Sequence, residues 1–239
     1  MIRIRLLAAG LALLLSAVPV LDRPAVAGDA YADQRKAMVE ELRQRGITQP
    51  DVLAAMQQVP RHLFVPESVR AQAYQDQPLQ LGNGRSIYQP YVVALMTSLL
   101  NLKKGDKVLE VGTGTGYHAA VLSRIAREVY SMEIVPVVAS QASQRLSTLG
   151  YHNVAVRAGN GYRGMPDEAP FDAILLSAAP AEIPKELLDQ LKVGGKMVAP
   201  VGGFFQDLQV ITKSADGLEK RTVIPVRLSP MTGKVTDAH

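Results

Sequence analysis

The spacing of apolar residues predicts helices in the part of the chain that begins near residue 30. Met38 and Leu42 lie one helical turn apart, and Val52, Leu53 and Met56 repeat the spacing of a buried helix face. The stretch YVVALMTSLLNL at 91–102 is interpreted as a further helix. Between these segments, prolines and glycines mark an irregular stretch with turns. We therefore predict a helical preamble to the main domain over residues 30–58.

From Lys107 the pattern changes to short apolar strands that alternate with helices of about ten residues. This alternation predicts an α/β fold with a doubly wound, mostly parallel sheet and helices on both faces. The segments 207–214 and 221–228 are expected to close it as a C-terminal antiparallel hairpin. No repeat or linker divides residues 30–239, which we expect to form a single domain. The other predicted strands lie at 107–111, 128–134, 153–159, 171–179 and 194–201, and the helices at 116–126, 136–150 and 184–191.

Residues 1–27 have the three-part order of a secretory signal. Arg3 and Arg5 precede an apolar run from Leu6 to Leu21, and Ala25-Val26-Ala27 follows it. We predict an export signal that is cleaved near Ala27. Two other interpretations stay open. In the first, the segment is an uncleaved anchor helix, although its apolar run is shorter than the ~20 residues that span a bilayer. In the second, the start of translation is misassigned.

Composition and charge exclude several classes of function. The formal net charge is +4, and Arg3, Arg5 and Arg23 outnumber Asp22 by two in the leader, so the remainder carries about +2. Such a small excess, without basic runs interleaved with aromatic residues, argues against nucleic acid as a partner. The absence of cysteine excludes disulfides, thiolate metal sites and a cysteine nucleophile. The four histidines are scattered, so no metal site is expected.

The sharpest candidate for a binding site is a glycine-rich turn in KVLEVGTGTGYHAAVL. Glycines tighten a turn and let backbone N–H groups approach a ligand. The dinucleotide pattern GxGxxG requires glycine where this chain has Tyr117, which disfavours a nicotinamide-dependent dehydrogenase. Glu133 ends the next strand, 21 residues after Gly112, where a carboxylate can accept hydrogen bonds from ribose hydroxyls. We predict an adenosine cofactor without a pyrophosphate, namely S-adenosylmethionine; a turn without a ligand is the alternative.

Six motifs follow one another along the chain: VPRHLFVP, GRSIYQPYVVALMTSLL, VLEVGTGTGYHAAVL, VYSMEI, AGNGYRGMPDEAPFDAILLSAAPAEIP and GGKMVAPVG. Together they resemble the protein-L-isoaspartate O-methyltransferase family over roughly residues 35–231. The resemblance implies a Rossmann-like class I methyltransferase with S-adenosyl-L-methionine as cofactor and isoaspartyl-containing proteins and peptides as substrates. The implied reaction esterifies the free carboxylate of an isoaspartyl residue. The ester then closes to a succinimide that can reopen to aspartate, which repairs the protein.

The resemblance also implies site residues at matching positions. The family's Thr-Ile-Ser-x-Pro loop, whose serine acts on the substrate carboxylate, corresponds to residues 86–90, so Tyr88 replaces that serine. Tyr88 and Ser86 are the candidate catalytic residues. Three alternatives stay open: the loop shifts so that the Tyr88 phenol reaches the substrate, Ser86 takes the place of the family's serine, or the site accepts another substrate. The implied cofactor-binding residues are Ser86, Ile87, Glu110, Gly112, Thr113, Gly114, Thr115, Gly116, Glu133, Asn160 and Gly161.

Asn160 is a second departure, because the family commonly has Gly-Asp-Gly where this chain reads Gly-Asn-Gly. The family aspartate contacts the adenine, and an asparagine amide oxygen can also accept a hydrogen bond. We therefore expect a modest loss of cofactor affinity.

Three functions stay open at this point. The leading hypothesis is the isoaspartyl carboxyl methyltransferase. The alternatives are a methyltransferase redirected to another substrate by Tyr88, and an exported, non-catalytic binding protein of the same fold. The leader favours export, whereas S-adenosylmethionine is made in the cytosol; we expect a cytoplasmic protein, with a periplasmic or exported one as the alternative. The protein is expected to be a monomer without stable membrane association after removal of the leader.

Overall fold

The computed structural model describes residues 30–82 and 84–233, and the signal predicted for residues 1–27 lies outside them. The chain enters through two helices, α1 (Ala32–Gln44) and α2 (Pro50–Gln58), as the apolar spacing predicts. Helix α1 buries Met38 and Leu42. Helix α2 begins with proline, which suits the first helical position because the backbone N–H there has no partner within the helix.

The stretch expected to be irregular contains short regular elements. Two 3₁₀ turns, Arg61–Phe64 and Glu67–Gln72, precede an antiparallel pair of strands, β1 (Leu79–Gly82) and β2 (Arg85–Ile87). The two strands have only four and three residues, which is too short for a periodic pattern to identify them as strands. Helix α3 (Pro90–Leu100) follows these two strands.

A seven-stranded sheet forms the centre of the fold and confirms the predicted fold class. Its strand order is β5-β4-β3-β6-β7-β8-β9, parallel from β5 to β7 and antiparallel from β7 to β9. The strands are β3 (Lys107–Val111), β4 (Glu128–Glu133), β5 (Val154–Ala158), β6 (Phe171–Leu176), β7 (Leu191–Gly202), β8 (Gln206–Ser214) and β9 (Gly217–Val226). The intervening helices are α4 (Tyr117–Ser123), α5 (Pro136–Thr148) and α6 (Lys185–Gln190).

Alternate residues of the parallel strands belong to two separate apolar clusters, one on each face of the sheet. Val108 and Leu175 pack in the cluster that includes the N-terminal helices, whereas Leu109 and Leu176 pack in the other, which includes Leu187 of α6. Burial on both faces explains why these strands read as continuous apolar runs. Packing on both faces also holds the carboxyl ends of the strands in place, and the segments that follow the strands begin there.

Strand β3 is the topological switch point of the sheet. The chain leaves β3 to form β4 on one side, and later returns to form β6 on the other. In open α/β sheets a crevice opens at the carboxyl end of such a strand, and ligands bind there. The glycine-rich turn follows β3 directly, so the topology places the candidate site at Gly112–Gly116.

Candidate active site

The turn after β3 depends on glycine at three alternate positions. Gly112, Gly114 and Gly116 have φ values of +103°, +53° and +85°, which L side chains rarely adopt. A Cβ atom on Gly112 would lie 3.3 Å from Cβ of Ser177, at the end of β6. A Cβ on Gly114 would meet nothing within 4 Å, so the backbone there borders open space. The turn therefore lets a ligand approach its backbone at Gly114 without a side chain in the way.

Glu133, at the end of β4, is tied to this turn. Its Oε2 accepts a hydrogen bond from Gly114 N at 2.9 Å, and its Oε1 accepts one from Val135 N at 3.1 Å. The side chain is buried, with 8% exposure. A carboxylate has about four lone-pair sites, so two are left for further donors. This arrangement suits the two adjacent hydroxyls of a ribose.

Glu110 lies beneath the turn in a network of hydroxyl groups. Ser131 donates to Glu110 Oε2 at 2.5 Å, Ser177 donates to Oε1 at 3.4 Å, and Thr113 Oγ1 lies 2.6 Å from Ser131 Oγ. The carboxyl is completely buried, and this burial raises the pKa of Glu110 to about 8, against its ordinary 4.5. At neutral pH the carboxyl is therefore largely protonated, and a nearby cation would favour its ionisation.

Tyr88 joins three segments around the cavity. Its hydroxyl donates to Ser177 O at 2.7 Å and accepts from Ser229 N at 3.1 Å. Burial raises the pKa of Tyr88 above its ordinary value, so the phenol keeps the proton that it donates. Arg61, itself buried, donates to Tyr88 O at 2.5 Å and to Ala73 O at 2.7 Å. The loop before α3 is therefore held by both the side chain and the backbone of Tyr88.

Asn160 is occupied by neighbouring backbone groups. Its Oδ1 accepts from Tyr162 N at 3.0 Å, and its Nδ2 donates to Gly233 O at 2.5 Å. Asn160 therefore closes a turn and anchors the end of the C-terminal segment. A Cβ on the adjacent Gly161 would lie 2.4 Å from Cγ1 of Val111, so only glycine fits beside β3.

The C-terminal segment 229–232 forms a wall of the site that the sequence does not reveal. Ala179 N donates to Ser229 O at 2.8 Å, and Met231 N donates to Ala179 O at 2.7 Å. These bonds form an isolated parallel bridge between Ala179 and Pro230, far apart in the sequence. No periodic pattern marks such a segment, and only the position of β6 in the fold brings it to the site.

These segments enclose a cavity of about 310 Å³ at the carboxyl end of β3. Most of the predicted site residues line it, whereas Gly116 and Asn160 adjoin it without lining it. The predicted residues that line it are Ser86, Ile87, Tyr88, Glu110, Gly112, Thr113, Gly114, Thr115, Glu133 and Gly161. Lining residues that sequence reasoning did not assign include Arg85, His118, Ile134, Val138, Ser229, Pro230, Met231 and Thr232.

The cavity has an uneven distribution of charge. Burial lowers the pKa of His118 to about 3, so this histidine is neutral, and its Nε2 contacts Thr97 Oγ1 at 3.0 Å. Among the described lining residues, Arg85 carries the positive charge and Glu133 is a carboxylate, whereas Glu110 is largely protonated at neutral pH. Within residues 30–82 and 84–233, Arg85 makes no ion pair, and no group of three or more His, Asp or Glu side chains is arranged to hold a metal.

Comparison with known proteins adds independent information. Residues 33–236 match the family model described as protein-L-isoaspartate(D-aspartate) O-methyltransferase. A Synechococcus protein named protein-L-isoaspartate O-methyltransferase is 50% identical over 218 residues, covering 87% of this chain and 89% of its own. One from Opitutus terrae is 50% identical over 206 residues, covering 85% and 88%.

Solved structures agree with these relatives. A protein-L-isoaspartate O-methyltransferase superposes with a TM-score of 0.78 at 29% identity, covering 83% of this chain and 66% of that one. A Plasmodium falciparum protein, described as a putative protein-L-isoaspartate O-methyltransferase in complex with S-adenosyl-L-homocysteine, superposes with a TM-score of 0.73 at 27% identity, covering 83% and 98%.

Proposed function

The chain belongs to the protein-L-isoaspartate(D-aspartate) O-methyltransferase family, and we propose that it methylates the free carboxylate of isoaspartyl residues in damaged proteins. The proposed enzyme is a protein carboxyl O-methyltransferase that uses S-adenosyl-L-methionine. The observation that carries the proposal is the cavity in which the glycine-rich turn, Glu133 and the loop containing Ser86 meet. The expected partners are isoaspartyl-containing proteins and peptides.

The residues around the cavity fit S-adenosylmethionine. Glu133 retains acceptor sites for ribose hydroxyls, and the backbone at Gly114 borders open space. Ile134 and Val138 add an apolar wall next to Glu133, which suits the adenine ring. Glu110 is a buried carboxyl that gains a counter-ion from a positively charged ligand. When bound, S-adenosylmethionine supplies an electrophilic methyl group on its sulfonium.

Methyl transfer to a carboxylate requires correct placement of the two reactants rather than a general acid or base. A substrate carboxylate with an ordinary pKa near 4 is already ionised at neutral pH. Holding it in line at about 3–3.5 Å from the reacting carbon supplies much of the rate acceleration. No hydrogen bond to the Ser86 side chain occurs among the described residues, so its hydroxyl is free to donate to the carboxylate. Arg85 attracts the same group by its charge.

Tyr88 is assigned a positioning role in this proposal. The sequence makes it a candidate catalytic residue, but its single hydroxyl proton is already donated to Ser177 O. The hydroxyl also accepts from Ser229 N, so moving it toward a substrate would break two bonds. Ser86 is therefore the proposed catalytic hydroxyl, and Tyr88 holds the loop that carries it.

The first experiment measures methyl transfer from labelled S-adenosylmethionine to an isoaspartyl peptide and to the same peptide with normal aspartate. We expect selective labelling of the isoaspartyl peptide by the full chain and by a chain that begins at residue 28. Ser86→Ala is expected to lower kcat/KM for the isoaspartyl peptide by about tenfold to a hundredfold while cofactor affinity is retained, the scale of losing one hydrogen bond to a charged group. Cofactor binding without labelling of either peptide would favour the redirected methyltransferase, and no cofactor binding would favour the binding protein.

A cytoplasmic location is part of the proposal, because the cofactor is made in the cytosol. Within the described residues, no helix is both long and apolar enough to cross a membrane. The signal-like residues 1–27 support export as the alternative. Fusing these residues to a reporter that is active only after export distinguishes the two: an inactive reporter is expected, and an active one would place the enzyme outside the cytoplasm.

A further inference from the structure

Phe204 and Phe205 are the most exposed large apolar side chains in the described part of the chain, at 78% and 86%. Their rings contact edge to face with centroids 5.1 Å apart. They occupy the turn between β7 and β8, Gly203-Phe204-Phe205, which we call the aromatic turn. Adjacent aromatic side chains left in water mark a site of interaction, since single exposed apolar residues are ordinary but exposed clusters are not.

The aromatic turn is held in a fixed conformation. Gly202 has a φ of +130°, and a Cβ there would lie 2.1 Å from Phe205 O, so the turn requires glycine. Gln206, which is buried, donates to Gly203 O at 3.3 Å and to Leu228 O at 3.1 Å, and it accepts from Leu228 N at 2.8 Å. The turn that carries the two rings is therefore already ordered by these contacts. Because less backbone freedom is lost when a partner binds, the entropy cost of binding through the rings is lower.

The aromatic turn is continuous with the rim of the active-site cavity. Leu228, which Gln206 holds, is followed by Ser229 and Pro230, and both of these are exposed and line the cavity. Arg227, on the other side of Leu228, places its guanidinium 5.5 Å from the centre of the Phe204 ring. The exposed strip therefore runs from the cavity rim, past a positive charge, to two aromatic rings.

We propose that the aromatic turn and Arg227 bind the part of the substrate polypeptide that continues beyond the isoaspartyl residue. This inference rests on the proposed function. The expected preference of the enzyme is for polypeptide segments that carry an aromatic or large aliphatic residue together with an acidic residue. The apolar residue contacts the two phenylalanine rings, and the acidic residue pairs with Arg227.

The size of the cavity supports this occupant. A volume of about 310 Å³ is that of a site for one small molecule, so it cannot also hold the residues on either side of the isoaspartyl group. Those residues leave past the exposed rim, where Ser229 and Pro230 lead to Arg227 and the aromatic turn. Charge supports it as well, because Arg227 makes no ion pair among the described residues and an acidic peptide supplies one.

The test compares two isoaspartyl peptides, one of about five residues and one of about fifteen, long enough in extended form to reach past the cavity rim. The longer peptide carries Phe and Glu on both sides of the isoaspartyl residue. The variant Phe204→Ser/Phe205→Ser is expected to raise the KM of the longer peptide by about tenfold, the scale of losing one interface anchor. The KM of the short peptide, kcat and the Kd of the cofactor are expected to stay unchanged.

A matched control removes exposed apolar side chains elsewhere on the same sheet. Val193→Ser/Leu218→Ser alters residues that are 58% and 43% exposed and lie away from the cavity, and it is expected to leave both KM values unchanged. Arg227→Glu provides a second variant, which is expected to raise the KM of the longer peptide only when that peptide contains Glu.

An unchanged KM for the longer peptide, or an equal rise for both peptides, would overturn the inference. An unchanged KM together with loss of self-association, or loss of binding to anionic phospholipid vesicles, would assign the aromatic turn to a second copy of the chain or to a lipid surface instead. If the unaltered protein methylates neither peptide, the proposed function fails and this inference fails with it. If it methylates both peptides and the variants behave like the parent, only the inference fails.

Discussion

The Tyr88 hydroxyl is bonded to backbone groups of two segments that are distant in the sequence, at Ser177 and Ser229. Tyr88→Phe keeps the ring and removes both bonds, so we expect a loss of about 1–3 kcal/mol in the free energy of unfolding, measured in urea. Because Tyr88 is assigned to positioning, kcat is expected to fall by less than about tenfold, within the effect of a slightly misplaced loop.

Tyr91→Phe is the matched control for that variant, because Tyr91 lies three positions away and its ring contacts Arg45 rather than the cavity. It is expected to match the parent protein in both measurements. A fall of kcat by a hundredfold or more in Tyr88→Phe, with stability retained, would show instead that the phenol acts on the substrate directly.

Glu110 predicts a pH dependence of cofactor binding. Its pKa of about 8 in the free protein means that the carboxyl is protonated below pH 8, whereas a sulfonium favours the ionised form. Binding therefore lowers the pKa of Glu110 and releases a proton. The affinity for S-adenosylmethionine is expected to rise with pH up to about 8 and to level off above it, as calorimetric titrations would show.

The matched ligand for this prediction is S-adenosylhomocysteine, which lacks the methyl group and the sulfonium charge but otherwise shares the structure of the cofactor. The difference in pH dependence between the two ligands isolates the sulfonium. In Glu110→Gln, that difference is expected to vanish. Equal pH profiles for both ligands in the parent protein would contradict the assigned role of Glu110.

Among the elements, the C-terminal segment 229–232 forms one wall of the cavity although it lies beyond the last strand of the sheet. It is attached through main-chain bonds to Ala179 and contributes Met231 to the lining. A chain that ends at Leu228 is expected to keep its sheet by circular dichroism, since β9 ends at Val226, but to lose cofactor affinity by at least about tenfold.

A chain that ends at Gly233 is the control for this truncation, because it keeps every described residue of the segment. It is expected to bind the cofactor with unchanged affinity. Unchanged affinity in the chain that ends at Leu228 would show that the wall formed by residues 229–232 is dispensable.

The elements also show how far the sequence predicts this fold and site. Strand β3 lies where the apolar run at 107–111 predicts it, and the glycine-rich turn follows, because both are specified by adjacent residues. The bonds of Tyr88, the bridge from Ala179 to Pro230 and the backbone bonds of Asn160 join segments that are distant in sequence. No local pattern encodes such pairings, so the sequence gives the identity of many site residues but not what they bind.

At the scale of the whole molecule, the edge of the sheet bears on the expected monomeric state. Strand β9 pairs with β8 along one edge, and in the described chain no strand covers its other edge. That edge carries Glu219, Lys220 and Arg221, all exposed, as well as Pro225, which has no N–H to donate. Charges and proline on an edge strand oppose pairing with another chain.

We therefore expect a single monomeric mass by light scattering over about a hundredfold range of concentration, in contrast to the concentration dependence of a weak dimer. The variant Lys220→Val/Arg221→Thr/Pro225→Val replaces these barriers with residues that favour strands, and it is expected to self-associate through β9. A variant with Leu218→Ser alone leaves the charges and the proline in place and is expected to stay monomeric. If the parent protein already forms dimers that the triple variant does not strengthen, then β9 is not the barrier, and association occurs through another surface.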